Sequence, residues 1–437
     1  MVRKTVLEWE TIRYGDGENE ISEAAADRIA AVAAASALAG AGGGGVLEHG
    51  RKALRARGIV GVITSGDSVL EILPKIDVAG GDQVERNRQI RRRLVHMLAV
   101  AMDLRIDAGQ MTSLDTQSET LLEILVRIFS EKLTDAVRHG MPRRYLQHED
   151  DLPVLRGRLD TKRQFSRLAA EPSRLACRYD ALTPDIALNQ IMKAATSRLS
   201  RMARSGDNQR RLRELSFVYA DISDVPRSVL PWADVVIDRT NGRWKELLNL
   251  ARLLLGDRFQ TTSSGGSEGF SLLFEMNVLF EEYIARMLQK GLAGTDLRVT
   301  SQGGRMYCLQ AEEKGLFQTR PDLIVKRGNQ VVQIIDTKWK RIANRIDDPK
   351  AGVSQGDVYQ MMAYGQLYGC DSLTLLFPHH AGLNCSDGLQ DDHVINGSSR
   401  RLRTATVDIS VAAEIAHRLA LIANPTGMHP SRTDRVA

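Results

Sequence analysis

The sequence predicts an α/β (α+β) fold: a mixed β-hairpin and helical N-terminal domain, then a compact unit of order α-β-β-β-α-β. Three observations predict it. GIVGVITSGDSVLEILPKI (58–76) is two β-rich runs around Ser65-Gly66-Asp67, a hairpin signal. Residues 83–140 carry apolar residues at three- and four-residue spacing, the mark of amphipathic helices. QTRPDLIVKRGNQVVQIIDTKWK (318–340) is a second hairpin, with β-branched runs on either side of Arg327-Gly328-Asn329.

In chain order, VLEWETIRY (6–14) reads as a strand. Residues 21–39 read as an alanine-rich helix with Ser22 as N-cap, broken by AGAGGGG (39–45). After the first hairpin, closed by Pro74, come RRRLVHMLAVAMDL and ETLLEILVRIFSEKLTDAVRHG, the second ending at Gly140 with Pro142 beyond. Residues 141–265 read as mostly helical, and SSGGSEG (263–269) as a flexible boundary. The closing unit begins with a helix over 270–292 and a strand near 297–301. The second hairpin follows, then a helix near 353–369 and a strand over 372–378. The expected divisions are 1–82, 83–265, 266–423 and a flexible tail at 424–437.

The chain has 437 residues, 43% hydrophobic and 26% charged, as in ordinary soluble globular proteins. No apolar run reaches the roughly 18 residues of a membrane span. The acidic turn soon after MVRKTVLEWE argues against a signal peptide, so the expected location is cytoplasmic. Cys177, Cys308, Cys370 and Cys385 are scattered and expected to be free thiols. Net charge is only +5, but RNRQIRRR (86–93), RHGMPRR (138–144), RGRLDTKR (156–163) and SSRRLR (398–403) are basic runs. Such runs either follow a phosphate backbone or form solvated helix faces.

Charges in a buried strand are costly unless paired. Asp322, Asp336 and Lys338 nonetheless sit among the apolar residues of the second hairpin. Strand alternation puts Asp336 and Lys338 on one face and Ile335, Thr337 and Trp339 on the other, with Asp322 across the turn. Two carboxylates suit a hard cation such as Mg²⁺, and a lysine beside them can orient water and stabilise charge on phosphorus. That chemistry suits phosphodiester hydrolysis; the alternative is a buried Asp–Lys pair that merely joins strands. On the following helix, Asp357, Gln360 and Tyr364 share one face. Glu281 in LFEEY is the candidate third acid, because Phe274, Val278 and Glu281 are expected on the face toward the sheet. The metal ligands expected are Asp322, Asp336 and Glu281.

Pro321-Asp322 followed by Asp336-Thr337-Lys338 resembles the PD-(D/E)xK nuclease pattern. Gln360-Met-Met-Ala-Tyr364 resembles the QxxxY element of its RecB-like members, which implies site support or DNA contact. GVITSGDSVLEILPKI, RRYLQHEDDLPVLRGRLDTKRQ (143–164), LTPDIALNQIMKAA (182–195) and LLFEMNVLFEEY (272–283) resemble McrC, the nuclease subunit of McrBC modification-dependent restriction systems. The resemblance spans roughly residues 1–380. It implies a DNA endonuclease acting on double-stranded DNA with a McrB-like AAA+ GTPase hexamer, whose GTP hydrolysis it stimulates. It also implies N-terminal docking on that ring and paired nuclease domains for double-strand cleavage. Lys75, in the first hairpin, is the candidate docking residue. This chain is expected to bind no nucleotide itself: Gly45-Val-Leu-Glu-His-Gly50-Arg51-Lys52 lacks the lysine and hydroxyl of a P-loop and reads as a flexible loop. Two other readings remain open: a non-catalytic activator of a ring NTPase, and a stand-alone RecB-like nuclease.

Overall fold

The computed structural model describes all residues except 1, 18, 37, 39–44, 79, 105–118, 256–268, 313, 344, 349–351 and 424–437. The chain forms two compact units, residues 1–121 with 259–437 and residues 122–258. Residues 1–82, expected as a β-rich partner-docking region, share a unit with the C-terminal part, to which β-pairing joins them. Most of the 39–45 break, most of the 263–269 boundary and the 424–437 tail lie outside the described residues.

The N-terminal part runs β1 (Val2–Leu7), β2 (Thr11–Tyr14), β3 (Glu20–Ile21), α1 (Glu23–Ala34), β4 (Leu47–His49), β5 (Ala53–Ala56), β6 (Ile59–Ser65) and β7 (Ser68–Leu73). The strand expected over 6–14 is two strands, because Trp9 turns the chain at φ 65°. α1 is shorter than the 21–39 expected, and Ser22 holds the N-cap position without a side-chain cap bond. The stretch read as a flexible loop at 45–52 contains β4, paired with β5. The hairpin β6–β7 forms as expected, closed through Ser65 and Ser68. Ile29, Val32, Ile63, Leu70 and Leu273 belong to one buried cluster, so α1 lies over this sheet. α2 (Gln83–Ala101) follows, capped by Asp82, whose carboxylate accepts from Glu85 N at 2.8 Å.

Residues 122–258 contain most of α3 (Leu121–Arg138), then β8 (Arg144–Leu152), β9 (Arg158–Leu159), α4 (Thr161–Ser166), β10 (Leu175–Thr183), α5 (Ala187–Met202), α6 (Gly206–Val218) and α7 (Trp244–Leu255). The mostly helical expectation for 141–265 misses the sheet β8-β10-β9. β8 and β10 pair over nine residues each. β8 is largely polar and half-exposed, and β10 mixes polar and apolar residues without regular alternation, so the pattern that signals a strand is weak.

The C-terminal part begins with β11 (Gly269–Glu275) and α8 (Met276–Gly291). The single helix expected over 270–292 is therefore a strand followed by a helix. GFSLLFE is a short, mostly apolar stretch, buried through its middle, whose pattern fits either state. Pairing decides it: β11 runs antiparallel to β6, completing a sheet of order β1-β7-β6-β11. Gly61 permits that approach, since a Cβ there would lie 1.9 Å from the Leu272 carbonyl oxygen.

Next come β12 (Leu297–Ser301), β13 (Tyr307–Ala311), β14 (Lys314–Gln318), β15 (Leu323–Arg327), β16 (Gln330–Thr337), α9 (Gln355–Leu367), β17 (Ser372–Pro378), β18 (Gly388–Val394), β19 (Arg401–Val407) and α10 (Ile415–Ala423). The expected α-β-β-β-α-β order is present as α8, β12, β15, β16, α9 and β17, with the separate hairpin β13–β14 inserted. The sheet order is β12-β15-β16-β17-β19-β18. β15–β16 is the expected hairpin, turning at Gly328-Asn329; β16 and β17 are parallel, joined through α9. Ile334, Met361, Tyr364, Leu373, Leu375 and Phe377 form the core between α9 and this sheet. All four cysteines are free.

One buried charge ties α2 to the N-terminal sheet. Glu71 on β7 accepts from Arg91 Nε and Nη2 at 2.8–3.0 Å, from Leu121 N at 2.9 Å and from Thr5 Oγ1 at 3.1 Å. Arg91 belongs to the basic run at 86–93, so part of that run is interior rather than solvated. Glu71→Ala leaves a buried guanidinium and an amide without this acceptor. It is expected to cost about 3–5 kcal/mol in denaturant unfolding; a loss below about 1 kcal/mol contradicts this role.

Candidate active site

The end of the β15–β16 hairpin gathers the residues singled out by sequence. Asp322 lies just before β15 rather than within it, beside the Leu323–Ile335 pair. Its Oδ2 accepts from Thr337 N at 2.7 Å and from Thr337 Oγ1 at 2.9 Å. Alternation placed Thr337 on the other face from Asp336. Because Asp322 sits where the ladder ends, its carboxylate reaches the backbone edge of β16 and binds Thr337 there. Lys338 lies one residue beyond β16, its N–H donating to Leu376 O at 2.9 Å.

The Lys338 ammonium lies 2.8 Å from Asp336 Oδ2, 3.5 Å from Asp357 Oδ1 and 3.4 Å from Gln360 Oε1. Asp336 is buried, and its Oδ2 accepts no well-aligned hydrogen bond; the contact with Lys338 is an ion pair without that alignment. Gln360 Nε2 donates to Tyr364 OH at 2.7 Å. Gln360 and Tyr364, one helical turn apart on α9, thus form a relay ending on Lys338. Asp357 also pairs with Lys340 at 2.9 Å and closes the α9 capping box with Ser354.

Glu281 on α8 is half-buried, and its Oε1 accepts from Gln302 Nε2 at 3.0 Å. Arg320 in turn donates to Gln302. Among the described residues, no three His, Cys, Asp or Glu side chains converge as a ready metal-binding group. Asp322 and Asp336 are nevertheless close enough for the charge of the first to perturb the second. A poorly bonded buried carboxylate oxygen beside a second carboxylate fits a hard cation that keeps waters of its own. Lys75 is not one of these side chains; its backbone N–H donates to Glu8 Oε1 at 2.8 Å.

Electrostatics reflect this crowding. Burial, then the Asp322 charge, push Asp336 up to about 6. The same two causes push Glu281 up to about 7. Burial raises Asp322 against the opposing pull of Thr337 and Lys338. Burial works against the Lys338 ammonium, but Asp336, Asp357 and Asp322 outweigh it and its pKa is raised. Burial pushes the Tyr364 hydroxyl up to about 12.

Sequence reasoning missed Thr337 as a donor to Asp322, Lys340 as partner of Asp357, and Gln302 as partner of Glu281. Lys340 was legible in DTKWK, two residues beyond Lys338. Gln302 was not, because its approach to Glu281 is tertiary.

Fold and site together define a class: an α/β chain whose mixed sheet presents two aspartates and a lysine at the end of one hairpin, backed by a glutamine–tyrosine helix. A family model described as the McrBC 5-methylcytosine restriction system component matches residues 54–378, and the chain belongs to that family. In fold it is similar to a chain of the Thermococcus gammatolerans assembly of McrB AAA+ hexamers with bound McrC. The TM-score is 0.70 at 20% identity, covering 96% of this chain and 99% of that one. It is also similar to a chain of the Thermococcus gammatolerans McrBC complex, with a TM-score of 0.52 at 22% identity, covering 67% and 88%. No curated protein matches the sequence. No helix among the described residues is long and apolar enough to cross a membrane.

The raised carboxyls fix the sign of a pH effect. Their folded values stand above those of the unfolded chain, so the metal-free folded state holds extra protons between about pH 4 and pH 7. Stability contributed by these groups therefore falls as pH rises through that window. Thermal melts of metal-free protein at stepped pH are expected to show a shallower decline for Glu281→Gln and for Asp336→Asn than for wild type. An unchanged slope in both contradicts the raised values.

Proposed function

We propose that this chain is the nuclease subunit of a McrBC-type restriction system, a Mg²⁺-dependent endonuclease that cuts modified or foreign double-stranded DNA when driven by an AAA+ GTPase partner. The observation that carries the reading is the gathering of Asp322, Asp336, Lys338 and Gln360 at the end of a hairpin inside an α-β-β-β-α-β core, with Lys338 bonded to Asp336 and Gln360 and Asp322 close enough to perturb Asp336. Family membership supports the system, and the Thermococcus assembly, in which McrB hexamers carry bound McrC, supports the partner.

Asp322 and Asp336 would hold Mg²⁺, with Glu281 able to join once released from Gln302. When bound, the ion supplies Lewis acidity at the scissile phosphate. Lys338 orients the attacking water and stabilises the negative charge that develops on phosphorus. Gln360 fixes the ammonium toward the site, and Tyr364 fixes Gln360. The N-terminal region, Lys75 included, docks on the partner ring and stimulates GTP hydrolysis. Two such nuclease domains brought together make the double-strand break.

The test uses the chain with its AAA+ partner, Mg²⁺, GTP and modified DNA. Asp336→Ala and Lys338→Ala are each expected to lower cleavage roughly 10³-fold or more while partner binding and GTPase stimulation persist. Cutting by the double variant refutes the site. GTPase stimulation with no metal-dependent cleavage by wild type identifies an adaptor, and cleavage without partner or nucleotide a stand-alone nuclease.

A further inference from the structure

The stretch that follows Lys338 is held by the N-terminal segment. Glu8, in the turn after β1, is buried, and its Oε1 accepts from two donors. One is Lys75 N at 2.8 Å, just past β7; the other is the indole Nε1 of Trp339 at 2.7 Å. Glu8 N donates to Leu73 O at 2.8 Å, so the carboxylate is fixed to the β1–β7 edge. Trp339, the residue after Lys338, is fixed a second time: its N–H donates to Asn277 Oδ1 at 3.2 Å, and its ring packs on Phe280 with centroids 5.3 Å apart. Asn277 and Phe280 lie on α8, the helix that carries Glu281. Two residues further on, Arg341 pairs with Asp77, whose other oxygen accepts from Ala381 N at 3.1 Å.

We infer that Glu8 is a positioning residue for Lys338, acting through Trp339, and that this contact couples the N-terminal sheet to the catalytic lysine. The catalytic part of this inference rests on the nuclease reading above. The lysine's reach is set at its backbone. Lys338 N is pinned to β17 through Leu376 O, and Trp339 is pinned to Glu8, Asn277 and Phe280. Releasing the indole lets the peptide after Lys338 turn, and the ammonium leaves the spot between Asp336 and Gln360. Displacements of about 1 Å at a reacting group cost on the order of 10²-fold in rate. A carboxylate buried in that position also carries its own cost: burial raises its pKa despite the Lys75 and Trp339 donors.

The experiment compares Glu8→Ala, Glu8→Gln and Trp339→Phe in the full chain with its AAA+ partner. Trp339→Phe keeps an aromatic ring beside Phe280 and removes the indole N–H donor along with part of the ring volume. Single-turnover cleavage, DNA affinity, GTPase stimulation and hydrogen exchange over 338–342 are measured together. The inference expects Glu8→Ala and Trp339→Phe to slow cleavage about 10- to 100-fold at unchanged DNA affinity, with faster exchange over 338–342. The double variant should be no slower than the worse single one. Glu8→Gln should restore most of the rate, because its amide oxygen still accepts both N–H groups. Unchanged cleavage in both slowed candidates overturns the inference, as does unchanged exchange over 338–342. So does a loss that Glu8→Gln fails to rescue while the fold is intact. If wild type itself does not cut, the nuclease reading fails, and the exchange measurement alone decides whether Glu8 holds the lysine-bearing stretch.

Discussion

Two carboxylates, Asp336 buried and Asp322 half-buried, are held close enough to feel each other's charge, with one ammonium to balance them. Like charges in low dielectric repel strongly, so no chain adopts this arrangement without compensation. The fold supplies it from three directions. Thr337 gives Asp322 two donors, Lys338 gives Asp336 a cation, and α9 gives Lys338 a second acid and an amide oxygen. Burial, and then the charge of Asp322 on its neighbours, keep the carboxyl pKa values raised, which is the state a divalent cation would relieve.

The rest of the unit can be understood as support for that crowding. The parallel β16–β17 step requires a crossover, and α9 provides it while bringing Gln360 and Tyr364 over the hairpin end. The β11–β6 pairing joins the N-terminal sheet to the strand that leads into α8. α8 then carries Glu281 toward Asp322 and Asn277 toward Trp339. The N-terminal sheet and the candidate site therefore share a unit, and Glu8 is a direct polar bridge between them.

Much of this was legible in the sequence because its determinants are local. The Gly328-Asn329 turn, the β-branched runs beside it and the i, i+3, i+7 spacing on α9 are short-range signals, and each corresponds to an element observed. The failures have a common cause in long-range pairing. FSLLFE was read as helix because nothing nearby reveals that β6 waits across about two hundred residues to pair with it. The ladder of β8 and β10 lacks the regular alternation that marks a half-buried strand. Of the candidate site, Asp322, Asp336 and Lys338 stood out as charges in an apolar hairpin, and Gln360 and Tyr364 through helical spacing together with the resemblance to a QxxxY element. Thr337, Gln302 and Glu8 could not, because their roles arise from contacts the chain makes only when folded.

The most direct measurement is a crystal structure of the chain grown or soaked in Mn²⁺, with anomalous scattering recorded at the manganese edge. The account predicts a peak bonded to carboxylate oxygens of Asp322 and Asp336, with the Lys338 ammonium displaced from Asp336 Oδ2. Absence of a peak there at millimolar Mn²⁺, with both side chains ordered and Lys338 still paired to Asp336, contradicts it.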